Sequence, residues 1–534
     1  MHAGWKPSRQ ERITCLPGTI QATITQIPQY EQRTMMRRLQ LVALMVVLQF
    51  SLSASTVLAQ NKNGGQRRTN VVLILADDLG IGDVSAYNAN HIPTPHIDSL
   101  GRRGIRFTDA HVSAAVCMPS RAGLITGRQG TRHGSEFNAG PGLDVSEQNI
   151  GELLKQSGYA TGVIGKWHLG DKGGRDPLSQ GFDEYFGAPS GSRYVDPRHP
   201  DAVNGFGNNL TDDRKSDSTN ILVTHGNQQI VENEHLTDAF AREAVDFIER
   251  HKQDPFFLYV AFTAPHAPLQ TTKKYYDRFP KISDHKARIY AGMVSAMDDA
   301  VGSILKKLEV DGLERETLVI FLSDNGGPDY FRGGPSNAQY NGWKRYHLEG
   351  GHRVPFFIRW PAVIERGNVD SRLTSSLDLF PTIAAATGTT IALKRPLDGV
   401  NLIPYLNGER SDSPHQDLYW RAGANFAVRD GRWKLVIVNK ANQESSRETP
   451  RTDDGGLLSG GPYQGVSPFG QLEALYDLDS DIEEKHNLAR SHPEVVARLL
   501  KQYDVWNQSN VTANAKSTRG INTVIDGVTV QLAF

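Results

Sequence analysis

The chain has 534 residues, 38% of them hydrophobic, which is enough to bury a large core and to divide into more than one domain. Its 58 Lys and Arg against 59 Asp and Glu leave a formal net charge of -1, without the basic excess that marks a nucleic-acid partner. With 2 cysteines, Cys15 and Cys117, it is not a disulfide-stapled scaffold.

Residues 1–34 carry no pattern that predicts a stable element. From Met35-Met36-Arg37-Arg38 a basic stretch leads into an apolar run over 39–50 and then into small residues ending Val57-Leu58-Ala59-Gln60, the grammar of an export signal. Gln40 and Gln49 interrupt the run, and it is too short to span a bilayer comfortably. This predicts a cleaved signal that starts at Met35 or Met36 and is cut after Ala59, hence an exported, periplasmic or extracellular protein. Cleavage removes Cys15 and more basic than acidic residues, so the mature chain is mildly acidic and keeps Cys117 alone. A lone cysteine is either buried filler or reactive chemistry.

Residues 71–76, VVLILA, read as a buried parallel strand that stops at Asp77-Asp78. The same grammar returns at 161–164 before GKWHLG, at 256–262 before TAPHAP and at 318–322 before SDNGG, with helical patterns over 150–156, 236–250 and 286–308. Strands alternating with helices predict a parallel sheet covered on both faces, with ligands beyond the C-terminal strand ends where these polar clusters fall. Residues 373–387 read as a helix in which Pro381 makes a kink or an early stop. After 408 the texture changes to short strands near 418–420, 426–428, 433–438 and 475–478, then a helix over 494–505, which predicts a small antiparallel sheet packed with one helix. The Gly-, Ser-, Pro- and Asp-rich segment 439–470 reads as a long loop, either a cap over the site or a disordered insert. A strand pattern at 522–532 falls in the tail. The expected division is a leader 1–34, a signal 35–59, a catalytic domain 66–408, a small subdomain 409–508 and a tail 509–534.

Several polar residues at these strand ends suit chemistry. Asp77, Asp78, Asp324 and Asn325 form a set of hard oxygen donors that fits Ca²⁺ or Mg²⁺ better than zinc, and three converging carboxylates imply a cation. Arg121, four residues after Cys117, lies one turn along the following helix on the same side, while Pro119 suits the first turn, whose free amides favour an anion. Lys166 and His168 are one residue apart, so on an extended segment both point into one pocket and Trp167 points into the core. Residues Glu349 to Arg353, EGGHR, read as a turn leading into a strand that buttresses Lys344, with glycines chosen for backbone freedom. His111 and His133 lie near the Cys117 segment in sequence and take no assigned role.

Cys117-Met118-Pro119-Ser120-Arg121, together with Asp77-Asp78, Lys166-x-His168, His266, Asp324-Asn325 and Lys344 in that order, resembles the formylglycine-dependent sulfatase family of the alkaline-phosphatase-like superfamily, over about 69–489. Two positions depart from the pattern: Met118, where Ser, Thr, Ala or Cys is more familiar, and Gln339, where a proline is common in a turn. The resemblance implies an α/β fold with a large mixed, mostly parallel sheet flanked by helices and a smaller C-terminal antiparallel α+β domain. It implies formylglycine made from Cys117 by a maturation enzyme, and Ca²⁺, with Mg²⁺ open, held by Asp77, Asp78, Asp324 and Asn325 and contacting the modified residue. By the same analogy the hydrated aldehyde attacks sulfur in line with the leaving alcohol, with Asp324 as a proton acceptor and Arg121 holding the hydrate. Lys166 neutralises sulfate oxygens, His266 protonates the leaving oxygen and Lys344 bridges sulfate and leaving group. His168 then takes a proton from the second hydroxyl, expelling sulfate. The expected activity is hydrolysis of a sulfate ester, on a sulfated glycan or an aryl sulfate. Two alternatives stay open: a phosphodiester or phosphonate monoester hydrolase of the same fold, and a catalytically silent protein that binds sulfated glycan with Cys117 unmodified. The oligomeric state and the sulfate position attacked are not set by the sequence.

Overall fold

The computed structural model describes residues 68–88, 92–205, 220–329, 331, 333–364, 367–392, 395–441, 469–517 and 520–533. The expected leader, the signal and its cleavage site, and 442–468 of the expected long loop lie outside the described residues.

The organising strand is Asn70–Asp77, all of whose residues are buried. Its alternating side chains feed two cores: Val72, Ile74 and Ala76 pack on one face of the sheet, and Val71, Leu73 and Leu75 on the other. That two-sided burial explains why the segment reads as an unbroken apolar run. Thr317–Ser323 and Phe256–Pro265 flank it in parallel, and Ala160–Gly165 and then Glu184–Gly187 extend the parallel block. Antiparallel strands finish the sheet: Phe356–Arg359 and Ile105–Phe107 on one side, Ile221–His225 and Gln228–Glu232 on the other. Asn368–Asp370 closes the first edge in parallel. Helices Leu236–His251 and His285–Val310 cover one face with Phe240, Phe247, Met293 and Val294, while Cys117–Thr126, Ile150–Gln156 and Leu379–Ala386 cover the other. Two of these helices start at side-chain caps: Asn149 and Glu152 form a reciprocal capping box, and Asp284 accepts the Ala287 N–H.

The structure corrects the reading of 373–387 as one helix. Thr374–Ser375 is a short strand paired with Ala110–His111, a capping box of Ser375 and Asp378 follows, and the α-helix begins only at Leu379. Pro381 therefore sits in the first turn, where its missing N–H costs nothing and no kink is needed.

The small sheet runs Asp417–Ala422, Asn425–Asp430, Trp433–Asn439 and Gln471–Asp477, antiparallel throughout. Helix Pro493–Asn507 packs Val496, Leu499 and Tyr503 against one face, on Val428, Leu435 and Ile437. The opposite face receives Ile525, Val530 and Leu532 of the hairpin Gly520–Ile525 and Val528–Ala533, so the C-terminal residues complete this core.

Candidate active site

The C-terminal ends of the central parallel strands supply the polar residues of the site. Asp77 ends its strand, and Asp78 turns the chain with φ 65, a left-handed conformation that Asp tolerates better than most side chains. The turn aims the Asp78 N–H at Asp324 Oδ1 (3.1 Å) and the Leu79 N–H at Ser323 Oγ (3.0 Å), tying two strand ends together. Asn325 Nδ2 donates to Asp78 Oδ1 at 2.7 Å. Asn325 Oδ1 is buried with no hydrogen-bond partner among the described residues. Close by, Gly326 must be glycine, because a Cβ there would lie 1.8 Å from the Gly350 carbonyl oxygen.

Cys117 opens the helix Cys117–Thr126, every residue of which is buried. Its Sγ lies 3.4 Å from Asp77 Oδ1, 3.8 Å from Asp78 Oδ1 and 3.1 Å from Lys344 Nζ. One turn on, Arg121 donates from Nε to Asp324 Oδ2 (2.9 Å) and from Nη1 to the Lys166 carbonyl (2.8 Å), with Nη2 3.5 Å from Asp77 Oδ1. Lys166 Nζ holds Asp77 Oδ2 at 2.7 Å, and Lys344 Nζ spans Asp78 Oδ1 and Oδ2 at 2.6 and 2.8 Å. His266 places Nε2 3.4 Å from Asp78 Oδ2 and Nδ1 2.6 Å from the Ala267 carbonyl. A carbonyl only accepts, so Nδ1 carries the hydrogen and Nε2 is the atom that faces proton exchange.

The segment at Lys166 and His168 is not extended as expected. Gly165 has φ 111 and His168 φ 60, so a left-handed turn, rather than strand alternation, directs the imidazole. The His168 N–H donates to the Pro189 carbonyl at 2.6 Å, and its buried Nδ1 has no partner among the described residues. Trp167 is fully buried, as expected, and donates to the Arg175 carbonyl.

Electrostatics divide the carboxylates. Burial opposes ionisation of Asp77, but Lys166, His266, Arg121 and Lys344 outweigh it and hold the carboxyl well below the usual range. Asp78 falls to about 2 against the cost of its own burial, chiefly through Lys344 and His266. Asp324 instead rises to about 6, pushed by burial and then by the Asp77 charge, with Arg121 opposing. Burial first, then Lys166 and Arg121, push His168 well below the ordinary histidine value, so its ring is neutral. His266 is also lowered, by burial and by Lys344, with Asp78 opposing; its side chain remains 33% exposed at the pocket. Burial and Asp324 raise the Cys117 thiol, so the encoded side chain stays protonated and is a poor nucleophile.

The sulfur, imidazole and carboxylate ligand atoms of Asp77, Asp78, Cys117 and His266 all lie within 4.8 Å of one another. With Asp324 and Asn325 against them, the cluster suits a bound metal ion. Three buried carboxylates, the orphaned Asn325 oxygen and a donor set dominated by hard oxygens fit a divalent cation such as Ca²⁺. Nine of the ten residues assigned to the site from the sequence are joined there by direct contacts, and no side-chain hydrogen bond or ion pair joins His168 to them among the described residues.

The residues Glu349 to His352 form one helical turn, and the chain passes through a bridge between Arg353 and His111 into the strand Phe356–Arg359. The glycines of the helical turn serve close approach and not backbone freedom: Cβ atoms at Gly350 and Gly351 would lie 2.2 Å from the Gly342 oxygen and 1.9 Å from the Tyr346 oxygen. The Gly350 N–H donates to the Asn341 carbonyl and the Lys344 N–H to the Gly327 carbonyl, so this turn does brace the Lys344 loop. Glu349 pairs with Lys434 (2.9 Å), and His111 with His352 (2.9 Å) and Asp109 (2.9 Å), in a buried network away from Cys117. His133 is buried and pushed down to about 4, chiefly by desolvation.

Beside the reaction centre lies a pocket of about 430 Å³ lined by Asp77, Lys166 and His266 and also by Ser192, Arg193, Asn220 and Gln229. No sequence pattern marks the last four of these residues. They sit in the loop 188–194 and on a hairpin with no spacing rule, and the topology alone brings them to the strand ends.

The Sulfatase family profile matches residues 69–389. Arylsulfatase G of Rattus norvegicus is 34% identical over 479 residues, covering 81% of this chain and 85% of the relative. N-acetylgalactosamine-6-O-sulfatase of Bacteroides thetaiotaomicron is 30% identical over 507 residues, covering 82% and 93%. Among solved structures, Ps i-CgsB in complex with k-i-k-neocarrahexaose superposes with a TM-score of 0.70 at 32% identity, over 84% of this chain and 94% of that one. The family match, together with the buried metal-type cluster at the strand ends, marks a sulfate-ester hydrolase. The chain belongs to the sulfatase family.

Proposed function

We propose that the chain removes sulfate from a sulfated carbohydrate outside the cytoplasm, with Cys117 converted to formylglycine by a maturation enzyme and Ca²⁺ held by Asp77, Asp78, Asp324 and Asn325. The observation that carries this reading is the placement of Cys117. Its sulfur stands among two carboxylates and the Lys344 ammonium at the head of a buried helix, yet the encoded thiol is protonated. The position suits a nucleophile; the encoded group does not. When present, the cation and the hydrated aldehyde supply an oxygen nucleophile at neutral pH.

The remaining roles follow from charge and position. Lys166 and Lys344 offer ammonium groups to sulfate oxygens, each already oriented by an aspartate. Arg121 fixes Asp324 and the Lys166 backbone and thereby sets the geometry around residue 117. His266, with Nδ1 committed to a carbonyl, delivers a proton from Nε2 to the leaving oxygen; a bound anionic ester favours its protonated form. His168 is neutral with an unpartnered nitrogen, and a bound sulfate that offsets the nearby cations raises its basicity so that it accepts the proton whose loss expels sulfate. The carbohydrate is supported by the relatives named for N-acetylgalactosamine 6-sulfate and by the neocarrahexaose complex of Ps i-CgsB. Export is supported by the signal grammar of 35–59. The division into a catalytic domain 66–408 and a subdomain 409–508 accords with the change from the mixed sheet to the antiparallel one.

The test is kcat/KM on matched 4-nitrophenyl esters of sulfate, phosphate and methylphosphonate, with sulfated oligosaccharides in parallel. Sulfate is expected to lead. Preference for phosphate or phosphonate would assign the site to the other ester class of this fold, and binding of sulfated sugar without turnover would make it a silent binder.

A further inference from the structure

Resting on the reading that His266 protonates the leaving oxygen, we infer that Tyr194 is a positioning residue for that step, its hydroxyl holding the His266 backbone so that Nε2 meets the departing oxygen. His266 stands where the regular ladder is interrupted. Phe256–Pro265 pairs with Asn70–Asp77 up to Ala261 opposite Leu75 and again at Pro265 opposite Asp77, so an advance of four residues on one strand answers two on the other. Such a slip in register re-aims side chains at a strand end. A turn follows in which the His266 N–H donates to the Thr263 carbonyl at 3.0 Å. Bonds from outside the sheet then set where the imidazole points.

Tyr194 supplies one of them from 72 residues away in the chain. Its hydroxyl hydrogen is shared between two acceptors, the Thr263 carbonyl and the His266 carbonyl at 2.9 Å, and so braces the same turn from its other side. With its N–H tied to Thr263, its carbonyl to Tyr194 and its Nδ1 to the Ala267 carbonyl at 2.6 Å, His266 is held at three points, and Nε2 is directed to the reaction. The tyrosine serves as a fixed post because its own backbone is anchored elsewhere. Its N–H donates to Gln270 Oε1 at 3.0 Å, and its carbonyl accepts the Leu236 N–H at 2.8 Å, at the start of the helix Leu236–His251. Gln270 in turn donates from Nε2 to Asn204 Oδ1 at 3.1 Å. These anchors carry no residue assigned to the reaction. The fully buried ring would pack equally well as phenylalanine, so what the oxygen adds is its bond to the turn.

The experiment measures kcat and KM of wild type, Tyr194→Phe, His266→Ala and the double variant on N-acetylgalactosamine 6-sulfate and neocarrabiose monosulfate, whose leaving oxygens need a proton, and on 4-nitrophenyl sulfate, whose leaving oxygen does not. Tyr194→Phe is expected to lose roughly 10- to 100-fold in kcat on the sugar sulfates, the cost of a misplaced catalytic group, with KM little changed, and less than about 3-fold on 4-nitrophenyl sulfate. Added to His266→Ala it costs nothing more on the sugars, because the two residues act as one unit. Gln270→Leu, which frees the Tyr194 backbone and keeps the hydroxyl, gives the same split in smaller measure and carries the test if Tyr194→Phe does not fold. Losses in Tyr194→Phe that are equal on sugar and nitrophenyl esters, or that multiply with those of His266→Ala, make Tyr194 purely structural and overturn the inference, as does wild-type turnover confined to 4-nitrophenyl sulfate. Equal losses of His266→Ala on both kinds of ester overturn the reading of His266 on which the inference rests. Failure of wild type on every ester, with residue 117 modified, overturns the sulfatase reading as well.

Discussion

Arg121 shows why the site residues were readable one by one. A fully buried guanidinium is tolerated only among fixed anions, and this one is pinned by Asp324 and Asp77. Arg121→Met strips Asp324 of its partner and is expected to cost about 3–5 kcal/mol in denaturant unfolding as well as activity. His266→Ala separates roles more finely. If His266 protonates the leaving oxygen, the variant loses roughly 100-fold or more on an alkyl sulfate but much less on 4-nitrophenyl sulfate, whose leaving group needs no proton. Equal losses on both substrates would remove His266 from that role. The donor identities were legible because few residue types serve as hard ligands or fixed cations. His168 was legible as a residue but not as a conformation: its left-handed φ of 60 depends on a hydrogen bond to Pro189, on a loop no local pattern links to it.

At the scale of elements, the apolar runs gave the central strands nearly to the residue, since burial on both faces leaves little else for 71–76 or 318–322 to be. What escaped the sequence was how the one-turn helix Glu349–His352 is held. Lys434, from the small sheet and fully buried, reaches Glu349 at 2.9 Å and Glu484 at 3.0 Å, while Arg429 from the adjacent strand binds Asp109 at 2.7 and 2.8 Å. Charged residues so far apart in the chain announce nothing of their pairing. Lys434→Met leaves buried Glu484 without its cation, while Glu349 keeps Arg353 at 2.9 Å, and is expected to destabilise by about 3 kcal/mol. Glu484 gives a pH test. Burial first, then the Glu349 charge, raises its carboxyl from 4.5 to about 7, with Lys434 opposing. The folded state therefore holds this proton more tightly than the unfolded one, and the stability it contributes declines as pH rises from the ordinary carboxyl value towards 7. Melting of Glu484→Gln should gain on wild type between pH 5 and pH 8; a constant difference would contradict the assignment.

For the whole molecule, strand and helix periods that alternate before 408 and cease to do so after it predicted a parallel sheet and a second antiparallel one, while the mixed character of the large sheet was implied only by the family resemblance. The sequence could not show that the last hairpin completes the small sheet's core, since Ile525, Val530 and Leu532 find their partners only through the long return from Pro493–Asn507. The cation reading makes a prediction for the intact protein. Chelation should lower both the melting temperature and kcat, and Ca²⁺ should restore both, by about 2.7 kcal/mol of stability at a free concentration one hundred times Kd. The central claim is tested most directly by the mass of the peptide that contains Cys117, from active protein purified out of the organism that encodes it. Conversion of the thiol to an aldehyde predicts a peptide lighter by about 18 Da than the encoded one. A peptide of the encoded mass throughout an active preparation would contradict the account.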